Sequence, residues 1–278
     1  MPKGLALTIG LNAVDPKHYA GWDGALNACE ADADDMTDIA KTRKFTVKTL
    51  LTKAATREKV SAEIRAAAKS LKAGDIFMLT YSGHGGQLPD LNHEEADGQD
   101  ETWCLYDGEL VDDELFVLFG KFAKGVRILV FSDSCHSGTV IKAVHYRDIA
   151  AARSAAGISP PIRYRYMPPD VALRTYRLHR DLYDPLLQKA DMAKAKREVK
   201  ASVILISGCQ DNQYSSDGNF NGLFTGTMLQ VWHQGKFKGS YRKFHKVIKQ
   251  RMPPDQTPNF FRIGVENEIF TGQEPFTI

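Results

Sequence analysis

The stretch from Arg127 to Gly138, RILVFSDSCHSG, constrains the fold of this 278-residue chain more than any other. It opens with a short apolar run rich in β-formers, which predicts a strand buried on both faces of a parallel sheet. Small and polar residues follow at once, Cys135 among them. Ligands and chemistry collect beyond the carboxyl ends of such strands, so Cys135 is a candidate functional residue. Taken alone, it is better explained by packing, because free cysteine is among the most buried residue types.

The remaining apolar patterns alternate between strand and helix periods. Strands are predicted at 3–12, 45–51, 75–81, 202–207 and 258–264, and helices at 23–44, 57–71, 111–122, 223–233 and 241–251, with Thr56 as an N-cap. This alternation predicts an α/β fold with a mostly parallel sheet and helices on both faces. Residues 139–200 are predicted to be an insertion within a single domain that spans residues 1–278.

Composition excludes several classes of protein. Hydrophobic residues make up 43% and charged residues 25% of the chain, values ordinary for a soluble globular protein. A net charge of +2 gives no nucleic-acid footprint. No apolar run is long enough to span a membrane, and the N-terminus resembles a first strand more than a signal peptide. The four cysteines lack paired CxxC spacing, so neither a disulfide scaffold nor a structural zinc is expected. A reducing, cytoplasmic setting is therefore predicted.

A second strand end carries a histidine. The strand over 75–81 leads into Ser82-Gly83-His84-Gly85-Gly86, whose glycines allow a tight turn and a close approach of substrate backbone. His84 and Cys135 are 51 positions apart, the length of one crossover between neighbouring strands. Together they suit nucleophilic catalysis by a thiolate with an imidazole that shuttles the proton. The glycines lack both the GxGxxG spacing and the phosphate-loop lysine, which argues against a nucleotide-binding domain.

The two motifs YSGHGG and DSCHSG resemble those of the caspase-like cysteine peptidases, in their metacaspase and bacterial orthocaspase branch. Further pieces resemble the same branch, namely residues 26–32, 97–101, 111–115 and 207–217. The resemblance implies a caspase-like three-layer sandwich around a six-stranded sheet. It also implies a catalytic dyad of His84 and Cys135, with the backbone N–H groups of Gly85 and Cys135 forming an oxyanion hole.

The resemblance further implies an acidic S1 pocket, the pocket that receives the side chain before the scissile bond (P1). In this branch that side chain is Arg or Lys. The matching positions here are Cys29, Asp32, Ser82 and Asp133. Period-2 alternation points the last two to the same side of their strands as the dyad. Two alternatives stay open: Asp32 as a solvated helix carboxylate, and Asp133 as a cap on the following helix.

Many members of this branch need calcium, and the resemblance implies Asp100, Asp112 and Asp113 as ligands, with a further carboxylate seven residues after the cysteine. That last position is Lys142, whose ammonium group replaces the expected ligand. The expectation is therefore that no calcium or other cofactor is needed. As alternatives, residues 97–101 are a solvated loop, and Asp112 and Asp113 begin a helix whose dipole favours acids.

Together these observations predict a cysteine endopeptidase that cuts peptides or proteins after Arg or Lys through a thioester acyl-enzyme. The alternative is a catalytically silent caspase-like scaffold, which would be expected to lack His84 or Cys135. Residues 142–200 hold 13 Lys and Arg against six Asp and Glu. The rest of the chain is net acidic and is expected to attract this segment. Self-cleavage within the segment is predicted, the alternatives being an ordinary ordered excursion with a helix over 184–200 or an inhibitory lid.

Overall fold

A six-stranded sheet forms the centre of the molecule in the computed structural model, which describes residues 1–91, 98–134, 163–189, 192–209, 216–218, 220–254 and 256–278. The strands lie in the order β11-β9-β7-β3-β1-β2. Their bounds are β1 Gly4–Gly10, β2 Thr46–Leu51, β3 Ile76–Ser82, β7 Arg127–Asp133, β9 Ser202–Ser207 and β11 Asn259–Gly264. All pairings are parallel except that of β11 with β9. The predicted mostly parallel sheet is confirmed.

The central strands are buried on both faces, as their apolar runs require. Every residue of β3 is buried, and β7 is buried except at its first residue, which is half-buried. The register of this pair sets Ser82 opposite Asp133, so both strands end at the same edge of the sheet. That edge lies next to His84 and at the start of the segment that contains Cys135.

Helices cover both faces, so the predicted three-layer sandwich is confirmed. One face packs on α1 Cys29–Thr42, α7 Leu223–Trp232, α8 Tyr241–Arg251 and α9 Glu268–Gly272, and the other on α2 Arg57–Ser70, α3 Asp112–Phe119 and α6 Met192–Glu198. Short 3-10 turns lie at Thr52–Ala54 and His233–Gly235. The Thr56 hydroxyl accepts a hydrogen bond from the Lys59 N–H at 3.3 Å, which confirms the predicted cap on α2.

Two helix predictions are wrong, one in where the helix begins and the other in the number of helices. The first helix begins at Cys29 rather than at residue 23, because Gly21 and Gly24 have positive φ angles of 90° and 56° that a helix does not allow. A single helix over 184–200 is replaced by two, α5 Arg180–Leu187 and α6. In the part of the chain that is described, none of the helices combines the length and apolarity that crossing a bilayer requires.

A second, antiparallel sheet was not predicted. It consists of β4 Gly85–Pro89, β5 Gln99–Leu105 and β6 Gly108–Val111. The predicted acidic loop is therefore wrong for residues 99–101, which belong to β5. Short strands that contain Gly and Pro carry little local signal and are held instead by their partners and by burial, as Leu88, Leu105 and Leu110 show.

The described part of the predicted insertion is ordered around a third, two-stranded sheet. Its strands are β8 Arg163–Tyr164 and β10 Ser216–Asp217, and α4 Pro169–Leu178 and α5 follow β8. The predicted positions of Cys135 and Lys142 lie outside the described residues, as does the first part of the insertion.

Candidate active site

A backbone carbonyl oxygen within the turn after β3 accepts the hydrogen bonds that fix this turn. The carbonyl oxygen of His84 accepts hydrogen bonds from the Tyr81 hydroxyl at 2.7 Å and from the Cys104 N–H at 2.9 Å. The Tyr81 ring stacks on Trp103 with 4.4 Å between ring centroids. Because these partners belong to two different sheets, the position of His84 is fixed by the packing of β3 against β5.

The imidazole of His84 is oriented by the backbones of Gly24 and Tyr166. Its Nε2 lies 2.9 Å from the carbonyl oxygen of Gly24. A carbonyl only accepts hydrogen bonds, so Nε2 carries the proton and Nδ1 keeps a free lone pair. Nδ1 is buried and makes no hydrogen bond of normal geometry to the described residues, although the Tyr166 backbone is close enough to the ring to raise its pKa. Burial lowers the pKa of His84 to about 4, while the Gly24 bond and Asp217 act in the opposite direction. The site therefore holds a neutral imidazole with a nitrogen ready to accept a proton.

The predicted nucleophile follows β7 directly. The strand ends at Asp133, and Ser134, the residue before the cysteine, is fully buried. The Ser134 hydroxyl lies 2.9 Å from that of Ser132, and the Ser134 carbonyl oxygen accepts a hydrogen bond from the Cys209 thiol at 3.4 Å. Adjacent strands thus lead to the two predicted catalytic residues, while the thiol of Cys135 itself lies outside the described residues.

Three carboxylates surround one guanidinium at this edge of the sheet. Arg165 is completely buried, with 0% of its surface exposed. Its Nη2 lies 2.7 Å from Asp32 Oδ2 and 3.0 Å from Asp217 Oδ1, and its Nη1 lies 2.9 Å from Asp133 Oδ2. Nη1 also donates to the Ser82 hydroxyl at 2.8 Å. We call this group of Asp32, Asp133, Asp217 and Ser82 the acidic pocket.

Each carboxylate of the acidic pocket is held by donors other than Arg165. Asp32 accepts from the Ser82 hydroxyl at 2.7 Å and from the Gly222 N–H at 3.0 Å. Asp217 accepts from the N–H of Asn27 at 2.8 Å. Burial raises the pKa of Asp32, and Arg165 opposes this shift. The fold thus positions the carboxylates. Because they are buried, they need a cation as a partner to stay charged at low cost.

Asp133 also faces the start of a helix distant in the chain, while its predicted role as a cap on the helix that follows it falls outside the described residues. Its Oδ2 accepts from the backbone N–H of Thr225 at 3.1 Å and from the Thr225 hydroxyl at 2.7 Å. Thr225 lies in the first turn of α7, so the carboxylate faces the positive end of that helix. The alternative of Asp32 as a solvated carboxylate is wrong, because only 1% of Asp32 is exposed.

Cys29, the remaining predicted pocket residue, lies behind the acidic group. Its thiol is close to the Ser82 hydroxyl, and burial strongly raises its pKa. Its N–H donates to Asn12 Oδ1 at 2.9 Å, which anchors the start of α1. Cys29 therefore contributes packing at the base of the pocket, and its thiol is kept protonated.

Three residues at the pocket were missed as site residues by sequence reasoning: Asp217, Gly222 and Arg165. Asp217 lies within a stretch that resembles the family, and that was the available signal. A Cβ on Gly222 would lie 2.4 Å from Nη1 of Arg165, although the φ of −59° suits any residue. Gly222 is thus needed for space and not for its backbone conformation.

The predicted oxyanion donor is engaged as well. The Gly85 N–H donates to the carbonyl oxygen of Arg165 at 3.0 Å. By contrast, the predicted calcium ligands do not form a site by themselves. Asp100 is buried in β5, and Asp112 and Asp113 lie in the first turn of α3. Within the described ranges, no group of three His, Cys, Asp or Glu side chains is arranged to hold a metal ion.

The sequence as a whole decides the family. A family model described as the caspase domain of peptidase family C14 matches residues 3–269. The chain belongs to the caspase-domain family. Metacaspase-1 of Mycosarcoma maydis is 27% identical over 248 residues, which cover 80% of this chain and 59% of the relative. Metacaspase-1 of Eremothecium gossypii is 32% identical over 203 residues, which cover 66% and 42%. The predicted resemblance to metacaspases is confirmed, and the chain spans about half the length of these curated relatives.

A solved structure agrees with this caspase-domain assignment. The crystal structure of protein GSU0716 from Geobacter sulfurreducens is 61% identical, with a TM-score of 0.88 and coverage of 99% of both chains. Together with the caspase-domain match over residues 3–269, this similarity confirms the predicted caspase-like fold.

Proposed function

We propose that this caspase-domain chain is a cysteine endopeptidase that cuts peptide bonds after Arg or Lys. The observation that carries the proposal is the acidic pocket, whose three buried carboxylates close around a guanidinium one strand away from His84. A neutral P1 side chain would leave these carboxylates without a cation, and unpaired buried charges are costly. An acidic P1 side chain would add repulsion.

Both ends of the guanidinium are used. Nη1 and Nη2 contact different carboxylates, a planar arrangement that an Arg side chain matches better than the single ammonium of Lys. We therefore expect Arg to be preferred over Lys, with both far ahead of neutral residues.

In the proposed reaction, His84 Nδ1 takes the proton from the thiol of Cys135. The thiolate then attacks the carbonyl carbon of the P1 residue, and the N–H groups of Gly85 and Cys135 stabilise the negative oxygen. Collapse of this intermediate expels the amine, which receives the proton from His84, and leaves a thioester. Water hydrolyses the thioester and regenerates the thiol.

A panel of fluorogenic peptides that differ only in P1 tests the proposal. We expect turnover after Arg and Lys, and loss of at least about 10²-fold in rate for Cys135→Ala and His84→Ala. Cys104→Ala is the matched control, because it removes a buried thiol from the neighbouring sheet. Preference for Asp at P1, or near-normal turnover by folded Cys135→Ala, would contradict the proposal. Absence of turnover together with absence of thiol labelling by an argininyl reagent would favour the silent scaffold.

We further propose that the activity needs no calcium. Lys142 stands where the family resemblance implies a carboxylate ligand, and the acids at the start of α3 have the helix dipole as a partner. After chelation, added calcium should change the rate by less than about twofold. A strong, saturable rise would contradict this part of the proposal and leave the P1 preference untouched.

A further inference from the structure

Residues 163–167 run through the candidate active site, with strand β8 at Arg163–Tyr164, a bend at Arg165 and a single β-bridge at Tyr166. Burial alternates along them: Arg163 is exposed, Arg165 and Met167 are buried, and the two tyrosines between them are partly buried. Such alternation belongs to a peptide that sends every second side chain into pockets. Arg165 fills the acidic pocket, and Met167 packs against Val14 and Tyr19.

The backbone of the segment 163–167 is paired on both sides of Arg165. Before it, Arg163–Tyr164 pairs antiparallel with Ser216–Asp217. After it, Tyr166 forms a parallel bridge with Gly85, in which the Met167 N–H donates to the Gly85 carbonyl oxygen at 2.8 Å. Strand addition of this kind is a common mode of peptide recognition, with main-chain hydrogen bonds for affinity and side-chain pockets for specificity.

Arg165 meets both requirements of a P1 residue at once. Its side chain occupies the pocket proposed for Arg and Lys. Its carbonyl oxygen accepts the Gly85 N–H at 3.0 Å, the contact proposed to stabilise the oxyanion. The next peptide unit lies at the catalytic histidine, because the backbone of Tyr166 interacts with the His84 imidazole. An arginine held only for stability would need the charge contacts but not this backbone register.

We propose that the segment 163–167 is an internal substrate, which occupies the site in the intact chain and is cut between Arg165 and Tyr166. The inference rests on the proposed function and adds the identity of the first bond cut. Cys135 would form a thioester with the Arg165 carbonyl carbon as the C–N bond breaks, and the Tyr166 nitrogen would take the proton from His84. Water would then release Arg165 as a new carboxyl terminus.

Occupancy has a kinetic consequence that can be measured. A tethered segment competes at an effective concentration on the order of millimolar, so an external substrate binds only to the fraction of molecules with an open site. Emptying the acidic pocket should therefore lower the KM for an argininyl peptide by about tenfold or more.

Intact-mass analysis after incubation tests the cut itself. We expect the wild type to yield residues 1–165 and 166–278, with Tyr166 as a new N-terminus, while Cys135→Ala stays whole. Arg165→Ala should abolish this cut, and Arg165→Lys should keep it. Arg163→Ala is the register control, because this exposed side chain donates only to the Ala25 carbonyl oxygen among the described residues. A wild type that hydrolyses argininyl peptides yet stays uncut, or is cut only elsewhere, would overturn the cleavage.

A binding experiment tests occupancy without any catalysis. Agmatine, an alkylguanidinium without a peptide bond, is titrated into Cys135→Ala and into Cys135→Ala combined with Arg165→Ala. We expect at least about tenfold tighter binding to the double variant. Exposed Arg174 supplies the matched control, Cys135→Ala combined with Arg174→Ala. Should Arg165→Ala fold poorly, agmatine should raise its melting temperature more than that of the control. Equal affinities, or equal melting shifts, would overturn occupancy.

The two proposals fail separately. If argininyl peptides are not hydrolysed but agmatine still distinguishes the double variant from its control, the proposed function fails and the internal occupant stands. If the peptides are hydrolysed and agmatine binds all variants alike, the proposed function stands and the internal substrate is wrong.

Discussion

Two sites with buried acidic side chains flank the segment 163–167. They compensate the cost of burying a carboxylate in different ways. In the acidic pocket, three carboxylates share the guanidinium of Arg165. On the Met167 side, Glu109 is buried, no cation of the described residues contacts its carboxylate, and it accepts from the Thr102 hydroxyl at 2.6 Å. Burial raises the pKa of Glu109 to about 8, although the Thr102 bond and Arg57 lower it. One site keeps its charge by binding a cation, and the other gives up its charge by binding a proton. Only the first can recognise a charged side chain.

The largest expected effect comes from closing the acidic pocket. In Gly222→Ala a methyl group would lie 2.4 Å from the position of the Arg165 Nη1, too close for a bound arginine, so kcat/KM for argininyl peptides should fall by at least about 10²-fold. The control is Gly226→Ala on the same helix, where a Cβ would meet only Asn221 at an ordinary 3.4 Å. Equal activity of the two variants on argininyl peptides would break the assignment of the pocket.

Neutralising the pocket should have the next largest effect. Asp32→Asn keeps the size of the side chain and removes one of the negative charges that contact the guanidinium. We expect the ratio of kcat/KM for Arg over a neutral P1 residue to fall by about 10- to 100-fold, because charge-assisted bonds are the strong ones. The matched change on the other site, Glu109→Gln, should leave this ratio unaltered. A reduced ratio in Glu109→Gln would contradict the view that only the acidic pocket recognises a charged P1 side chain.

Glu109 should instead control the dependence of stability on pH. Its pKa of about 8 in the folded state exceeds the ordinary value of 4.5, so the folded state binds the extra proton between these values. The free energy of unfolding should therefore decrease as pH rises from about 4.5 to 8, by on the order of a few kcal/mol. Denaturation at several pH values should show this slope in the wild type and a flatter one in Glu109→Gln. Identical slopes would mean that Glu109 stays ionised.

The smallest effect should come from a residue that supports the pocket. Thr225→Val removes the hydroxyl that donates to Asp133 at 2.7 Å and keeps the backbone donor. A single lost hydrogen bond is worth about 1 kcal/mol, so KM for argininyl peptides should rise about fivefold with little change in kcat. Thr227→Val is the control, since that hydroxyl bonds only the Leu223 carbonyl oxygen among described residues. A larger loss in kcat than in KM would assign Thr225 a different role.

The central sheet was predictable because its signal is local. The apolar runs in β1, β3, β7 and β9 are long enough to indicate buried strands from the local sequence alone. The antiparallel sheet β4–β6 was not, because its strands depend on each other and on Tyr81 of β3, which stacks on Trp103 of β5. Strand propensity reflects such neighbours, and a sequence pattern does not contain them.

The site divides in the same way. His84 follows a recognisable strand, and Asp32 and Asp133 match family motifs. Charge predicted that a basic segment would be attracted to an acidic body, without telling which arginine would bind. Selecting Arg165 needs the pairing of β8 with β10 and the space above Gly222. Both contacts join residues far apart in the chain.

The order of the strands has a consequence for how large this protein looks. β7 precedes residue 165 and β9 follows it, yet the two are neighbours in the sheet from Arg127 and Ser202 to Ser132 and Ser207. Their side chains also share both hydrophobic cores. A break between residues 165 and 166 would leave these contacts intact. A native size-exclusion column would then show the same particle size before and after the cut, while a denaturing gel would resolve the 31.0 kDa chain into two bands.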